Sequence, residues 1–266
     1  MDATAFERPR SFNKQLKWAA SAWYCIAVAG LMAFFLYVIV HYGGAAFGFS
    51  DTEPGTTFIE GDTLGNFFLV THLSLALVVI SGGLLQLLPS LRTRFPVFHR
   101  LNGRLFMVSA IVCSLAGQYL IFTREIPGDL IMDLGTSSAG GLVLLFSALA
   151  YMTARSRRFV EHRRWALRLF LVANAGWFFR IGLMLWFVVN QGPVGMDMET
   201  FTGPALYFIS YAQFLLPLAM LELYLRAQRS ENSTFKLGVA LLLSISCLAT
   251  LVGVGAASAM MWFPSS

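Results

Sequence analysis

Apolar residues in this chain are gathered into seven long runs, at about 18–40, 66–89, 104–123, 135–154, 165–190, 204–225 and 237–262. At about 1.5 Å of rise per residue, each is long enough to cross a hydrocarbon layer of about 30 Å as a helix. Between them lie turn-rich or charged connections, notably Gly43 to Gly65, Arg124 to Asp133 and Gln191 to Gly203. The pattern predicts an all-α membrane protein, a bundle of seven transmembrane helices forming a single transmembrane domain over residues 1–266. No internal repeat, low-complexity stretch or broken helix is expected.

Composition agrees with that reading: 57% of residues are hydrophobic and 12% charged, against about a quarter charged in soluble domains. The net charge of +5 does not indicate nucleic acid, because the basic residues sit in short clusters between apolar runs. Those clusters set the orientation, since positive loops resist translocation. Seventeen of the 19 basic residues fall in the N-terminal tail, the connections after runs 2, 4 and 6, or the helix ends beside them. Only Arg124 lies in an opposite loop and Arg180 within a run, whereas Asp51, Glu53, Glu60, Asp62, Glu125, Asp129, Asp133, Asp197 and Glu199 gather on the far side. The N-terminus is therefore expected in the cytoplasm and the C-terminus outside, in a bacterial inner membrane. The first run is too long for a signal peptide and reads as an uncleaved helix. Cys25, Cys113 and Cys247 all lie in apolar runs without CxxC spacing, which argues against a disulfide or zinc framework. The Asn232-Ser233-Thr234 sequon, on the expected cytoplasmic side, reads as a chance match.

Ionisable groups inside a membrane are costly, and each is by default a functional hypothesis. His72 is expected about 9 Å below the outer surface and Arg180 about fifteen residues into run 5, so the two can share one layer. Gln118, Tyr119, Ser137, Ser138, Gly140 and Gly141 fall at the same level. Small residues there permit either close helix packing or room for a flat ligand. A second constellation lies at the cytoplasmic ends. His99-Arg100 with Gly103-Arg104 precedes run 3, and His162-Arg163-Arg164-Trp165 with Arg168 opens run 5. His99 and His162 are expected to approach one another, with Glu222 as a counter-charge. The plainer role for the arginines is a collar on anionic lipid headgroups.

The string His72, Gln86, Arg92, Pro96, His99-Arg100, Gly103-Arg104, His162-Arg163, Trp165, Arg168 and Arg180 resembles the bacterial membrane-protein family catalogued as domain of unknown function 2306. The resemblance spans roughly residues 72 to 180 and rests on paired HRxxGR and HRxW elements at helix starts. Asn102, Phe106 and Leu88-Pro89 depart from the family's usual pattern. The resemblance implies a multi-helix membrane fold and supports the site positions without implying a reaction.

Three functional classes lead, with a membrane enzyme without a metal as the remainder. A cytochrome b561-like electron carrier would take haem b or quinone, using His72, His99 and His162 as haem-iron ligands and Arg180, Arg100, Arg163 and Gln118 as further cofactor contacts. A small-molecule binding or transport protein would use His72 and Arg180 for an anionic or quinone-like molecule. An accessory subunit would contact lipids and other subunits of a larger membrane complex. No GxSxG, HExxH or P-loop sequence points to a specific enzyme class.

Overall fold

The computed structural model describes residues 12–43, 58–124 and 127–264. Arg8, Arg10, Asp51, Glu53 and Glu125, which enter the orientation argument, lie outside the described residues. The described residues fold into nine α-helices: α1 (Phe12–Val38), α2 (Thr63–Gln86), α3 (Pro89–Arg94), α4 (Pro96–Thr123), α5 (Leu130–Arg155), α6 (Phe159–Ala173), α7 (Ala175–Asn190), α8 (Pro204–Arg229) and α9 (Ser233–Ala257). Short π-helical turns, Ile39–Gly43 and Ser258–Trp262, extend α1 and α9. No strand occurs among the described residues. Among the described residues six helices are individually long and apolar enough to cross a membrane, and α6 with α7, bent by 54° at their break, brings the number to seven when the pair is counted as one span.

That bend corrects the expectation of unbroken helices and of one continuous run over 165–190. The break falls at Asn174, a buried residue whose amide donates to Phe170 O at 2.8 Å. A short polar side chain that bonds its own preceding turn competes with the helical ladder. The helices also extend past the apolar runs, because their ends are set by caps rather than by hydropathy. Asp62 accepts from Gly65 N at 2.8 Å to start α2, Asp129 accepts from Ile131 N and Met132 N to start α5, and Asn232 accepts from Phe235 N to start α9. Prolines 89, 96 and 204 occupy first-turn positions, where a missing N–H costs nothing.

The spans pack mainly as neighbouring pairs: α2 on α4, α5 on α6, α4 on α5, and α1 on α9, the last pair bringing the first and final spans together. One apolar cluster, around Leu31, Ile80, Trp177, Ile181 and Trp262, joins α1, α2, α7 and the end of α9. A second, around Phe106, Val143, Phe146, Val172 and Phe214, joins α4, α5, α6 and α8. Large apolar residues such as Phe67, Leu105, Phe122, Leu241 and Leu248 cover the outer surface of the bundle, as lipid-facing helices require.

The two ends of the bundle differ in charge. Lys17 of α1 and Arg163 of α6 line one cavity, and Arg92 of α3, Arg163 and Arg229 of α8 line another, so these residues share a basic face. At the opposite, acidic face, Arg124 pairs with Asp62 at 3.0 Å and bonds Asn66 Oδ1 at 2.7 Å, while Tyr207 donates to Asp129 at 2.6 Å. Trp262, at the end of α9, packs on Phe34 and Tyr37 near the end of α1.

Candidate functional site

With α2 starting at Thr63 and α7 ending at Asn190, His72 and Arg180 both lie about 14–15 Å along their helices from the acidic-face ends, which puts His72 deeper than the sequence suggested and leaves Arg180 where the sequence set it. Arg180 is near enough to His72 for its charge to act there.

The imidazole is held by α4. His72 Nδ1 is 2.9 Å from Cys113 O, and because a carbonyl only accepts, Nδ1 carries the proton and Nε2 is left without a described protein partner. The Cys113 thiol also donates to His72 O at 3.5 Å. Gly117 makes this approach possible, since a Cβ there would stand 3.0 Å from His72 Cε1. One turn on, Gln118 reaches toward α5, where a Cβ at Gly140 would stand 2.3 Å from its Nε2, and Ser114 donates to Gly140 O at 3.1 Å. Of the small residues expected to leave space, Gly140 admits a side chain from α4 and Ser137 turns a buried hydroxyl inward without a partner. Ser138 is exposed and bonds its own helix at Leu134 O, and Gly141 faces open space. Tyr119 stacks on Phe68 at 4.2 Å rather than joining the polar group.

Arg180 donates Nη1 to Gly176 O at 2.8 Å and lies over the Phe34 ring at 5.1 Å. No carboxylate pairs with it among the described residues; the three ion pairs there are Arg124–Asp62, Arg158–Glu161 and Arg168–Glu222. Around Phe34, Tyr37 and Trp262 complete an aromatic wall, and Trp262 Nε1 is buried without an acceptor. His41, expected to belong to no constellation, stacks on Tyr37 at 5.2 Å and meets Tyr42 edge-on. The aromatic wall beside Arg180 thus carries an unmet N–H donor, Trp262 Nε1. Phe34, Tyr37 and Trp262 carry no signal in the sequence beyond their place at the ends of apolar runs.

At the basic face, His99 and His162 are within electrostatic reach of one another, as the sequence indicated. Their other contacts differ from expectation. Glu222 is not their counter-charge: both Nε and Nη2 of Arg168 hold its Oε1, at 2.7 and 2.6 Å, while the same guanidinium lies 4.4 Å from the Trp165 ring centre. His162 Nδ1 donates to Ala150 O at 2.9 Å, and His99 Nδ1 is buried with no partner. Much of the HRxxGR element serves helix contact. Gln86 donates to His99 O at 2.7 Å over Gly103, and buried Asn102 donates to Gly82 O at 2.9 Å, tying α4 to α2. Arg100 and Arg104 are exposed.

A further feature, unsignalled in the sequence, is an apolar groove of about 890 Å³ bounded by α1, α6, α7, α8 and α9. It runs from Lys17 and Arg163 at the basic face to Trp186 and Asn190 toward the acidic face. No group of three or more His, Cys, Asp or Glu suited to a metal ion occurs among the described residues.

A model of the family described as predicted membrane protein (DUF2306) matches residues 69–225, more than half of the chain, and the chain belongs to that family. No curated protein and no solved structure matches. The matched segment holds His72, Arg180, both histidines of the basic face and Glu222, and leaves α1 and α9, which supply the aromatic wall, outside it.

Proposed function

We propose that this member of the DUF2306 family binds an amphipathic small molecule within the membrane, and that Arg180 and His72 hold its acidic or quinone-like head. The observation that carries this reading is the Arg180 guanidinium, ten residues inside the end of α7 with one helix carbonyl and one aromatic face as its protein partners. Ionisable groups at that depth pair with something. Arg180 and Trp262 Nε1, on either side of the Phe34 ring, both offer protons, so the fitting ligand is rich in acceptor oxygens, as a carboxylate or a quinone is. His72, whose Nδ1 proton is fixed by Cys113 O, presents Nε2 as an acceptor for a protonated ligand oxygen. The broken span at Asn174 adds support for a carrier, because interrupted helices line the sites of many transporters.

Haem b with an electron-transfer role is the second reading. A carbonyl-anchored Nδ1 is the arrangement found behind metal-bound histidines, and both His72 and His162 have it. They stand at different levels, however: His72 lies in the layer of Arg180, with His41 beside Tyr37 and Tyr42 at the edge of the aromatic wall, and His162 stands with His99 at the basic end.

Absorption spectra and solvent extracts of the detergent-purified protein test both readings. The amphiphile reading expects an oxygen-rich organic molecule to co-purify and to fall about tenfold in Arg180→Gln and in His72→Ala. A Soret band that shifts on dithionite reduction would overturn it in favour of haem. Extracts of parent and variants with the same content would overturn it outright.

A further inference from the structure

At the basic face, four guanidiniums surround one pocket of about 360 Å³: Arg92 of α3, Arg163 and Arg164 of α6, and Arg229 of α8. None of the four has a carboxylate partner among the described residues, and no acidic side chain lines the pocket. Nearby carboxylates are committed elsewhere, Glu161 to Arg158 and Glu222 to Arg168. Four like charges gathered around one space repel, and the arrangement calls for an anion. Planar guanidinium forks suit phosphate oxygens in particular, which accept them two at a time.

The pocket does not stand alone. Arg163 also lines the apolar groove, whose basic end adds Lys17 and Tyr224 and whose walls are otherwise hydrocarbon and aromatic, among them Leu167, Phe178 and Leu216. A cationic cage for a headgroup thus adjoins, through the shared Arg163, an apolar groove along α6 and α7. An exposed basic collar would hold headgroups without a channel. A site for a free phosphate compound would have no use for a groove of this size.

We infer that this pocket and groove form a binding site for one anionic phospholipid, with its phosphate among Arg92, Arg163, Arg164 and Arg229 and an acyl chain in the groove. The site is separate from the Arg180–His72 centre, which lies at mid-depth among α1, α2 and α7. Basic pockets between transmembrane helices are known to take phosphate headgroups.

Native mass spectrometry of the full-length protein in detergent, titrated with phosphatidylglycerol, phosphatidylcholine or inorganic phosphate, tests the inference. One phosphatidylglycerol should bind about tenfold more tightly than phosphatidylcholine. Arg163→Gln with Arg229→Gln should abolish that preference without changing the weak phosphatidylcholine binding. Gly182→Leu, which fills the groove from α7 where space beyond Ile209 allows it, should weaken phosphatidylglycerol with every arginine in place. Should the Gln pair fail to fold, Arg163→Lys with Arg229→Lys keeps the charge but not the forks, and a several-fold loss is expected. Displacement of the lipid by a modest excess of inorganic phosphate would overturn the inference in favour of a headgroup-only anion pocket. Equal affinity for the two lipids, or indifference to Gly182→Leu, would also overturn it.

Discussion

Replacing Arg180 by Met separates a ligand-binding arginine from a structural one, because the two roles predict opposite signs for stability. A charged side chain at helix centre costs about 2.5–3.5 kcal/mol on insertion scales. The protein returns part of this. The Nη1 bond to Gly176 O at 2.8 Å goes to a carbonyl already in the helix ladder, and is worth about 1 kcal/mol. The Phe34 contact at 5.1 Å adds about 1 kcal/mol. About 1 kcal/mol of cost is left with no described protein group to offset it. Arg180→Met keeps much of the volume and removes the charge, so the ligand-free protein should become more stable by about that amount, raising the apparent Tm by about 3 °C for a chain of this size. Extracts of the same variant should lose the bound molecule, the trade expected where a site is held at the expense of stability. Thermal melts of delipidated parent and variant, followed by tryptophan emission, read the first half. A variant destabilised by more than about 2 kcal/mol would show that the guanidinium braces the bundle, and the reasoning from an unmet cation would fail.

At the acidic face, Gly65→Ala should cost about 1–2 kcal/mol in chemical denaturation, because the new Cβ would stand 2.0 Å from Asp62 Oδ2 and 2.8 Å from Arg124 Nε, displacing both the α2 cap and its ion pair. Asp62, held down chiefly by the Gly65 amide, and Asp129, held down chiefly by the Tyr207 hydroxyl, both have carboxyls below their ordinary range. A group with a depressed folded-state pKa contributes stability above its unfolded value and loses it as pH falls through the folded one. The parent should therefore lose stability below about pH 4, and Asp62→Asn with Asp129→Asn should flatten that acid limb in melts across pH. The orientation expected from the basic clusters, seven spans with the basic face inside, predicts that a C-terminal alkaline phosphatase fusion is active and a C-terminal fluorescent-protein fusion dark; the reverse pattern would contradict it.

Much of the fold was legible because hydrocarbon length and positive-charge placement are properties of single segments. His72 and Arg180 could be put in one layer on the same ground, since depth along a helix is a matter of counting. Facts of azimuth were not legible. Glu222 is level with His99 and His162, yet it is bound by Arg168, whose direction is set by packing on Trp165. Ser137 and Ser138 are adjacent in sequence, and one points inward while the other bonds its own helix outside. The HRxxGR element looked chemical, but Gly103 and Asn102 are explained by close approach of α2 and α4, which needs both partners in place. The break at Asn174 escaped notice because neither Gly nor Pro marks it in a useful place, and one amide turned onto Phe170 O suffices.

Pro217, in contrast, stood in plain view inside an apolar run, and its meaning depends on that unseen break. A proline removes the donor for the carbonyl four residues earlier, here that of Gln213, a buried residue whose own amide is turned back to Ser210 O at 2.6 Å. In hydrocarbon such a carbonyl is tolerated only where protein or a cavity meets it. Gln213 and Pro217 both line the groove, directly across from α6 and α7. The groove is therefore bordered by one span bent by 54° at Asn174 and by one continuous helix that lacks a backbone donor at Pro217. Two helices with the same apolar faces and complete hydrogen-bond ladders would be expected to close against each other along ridges and grooves. The bend on one side and the missing donor on the other give a physical reason for the opening between them. A spacer helix needs neither feature, so the two together weigh toward a bundle built around an occupant.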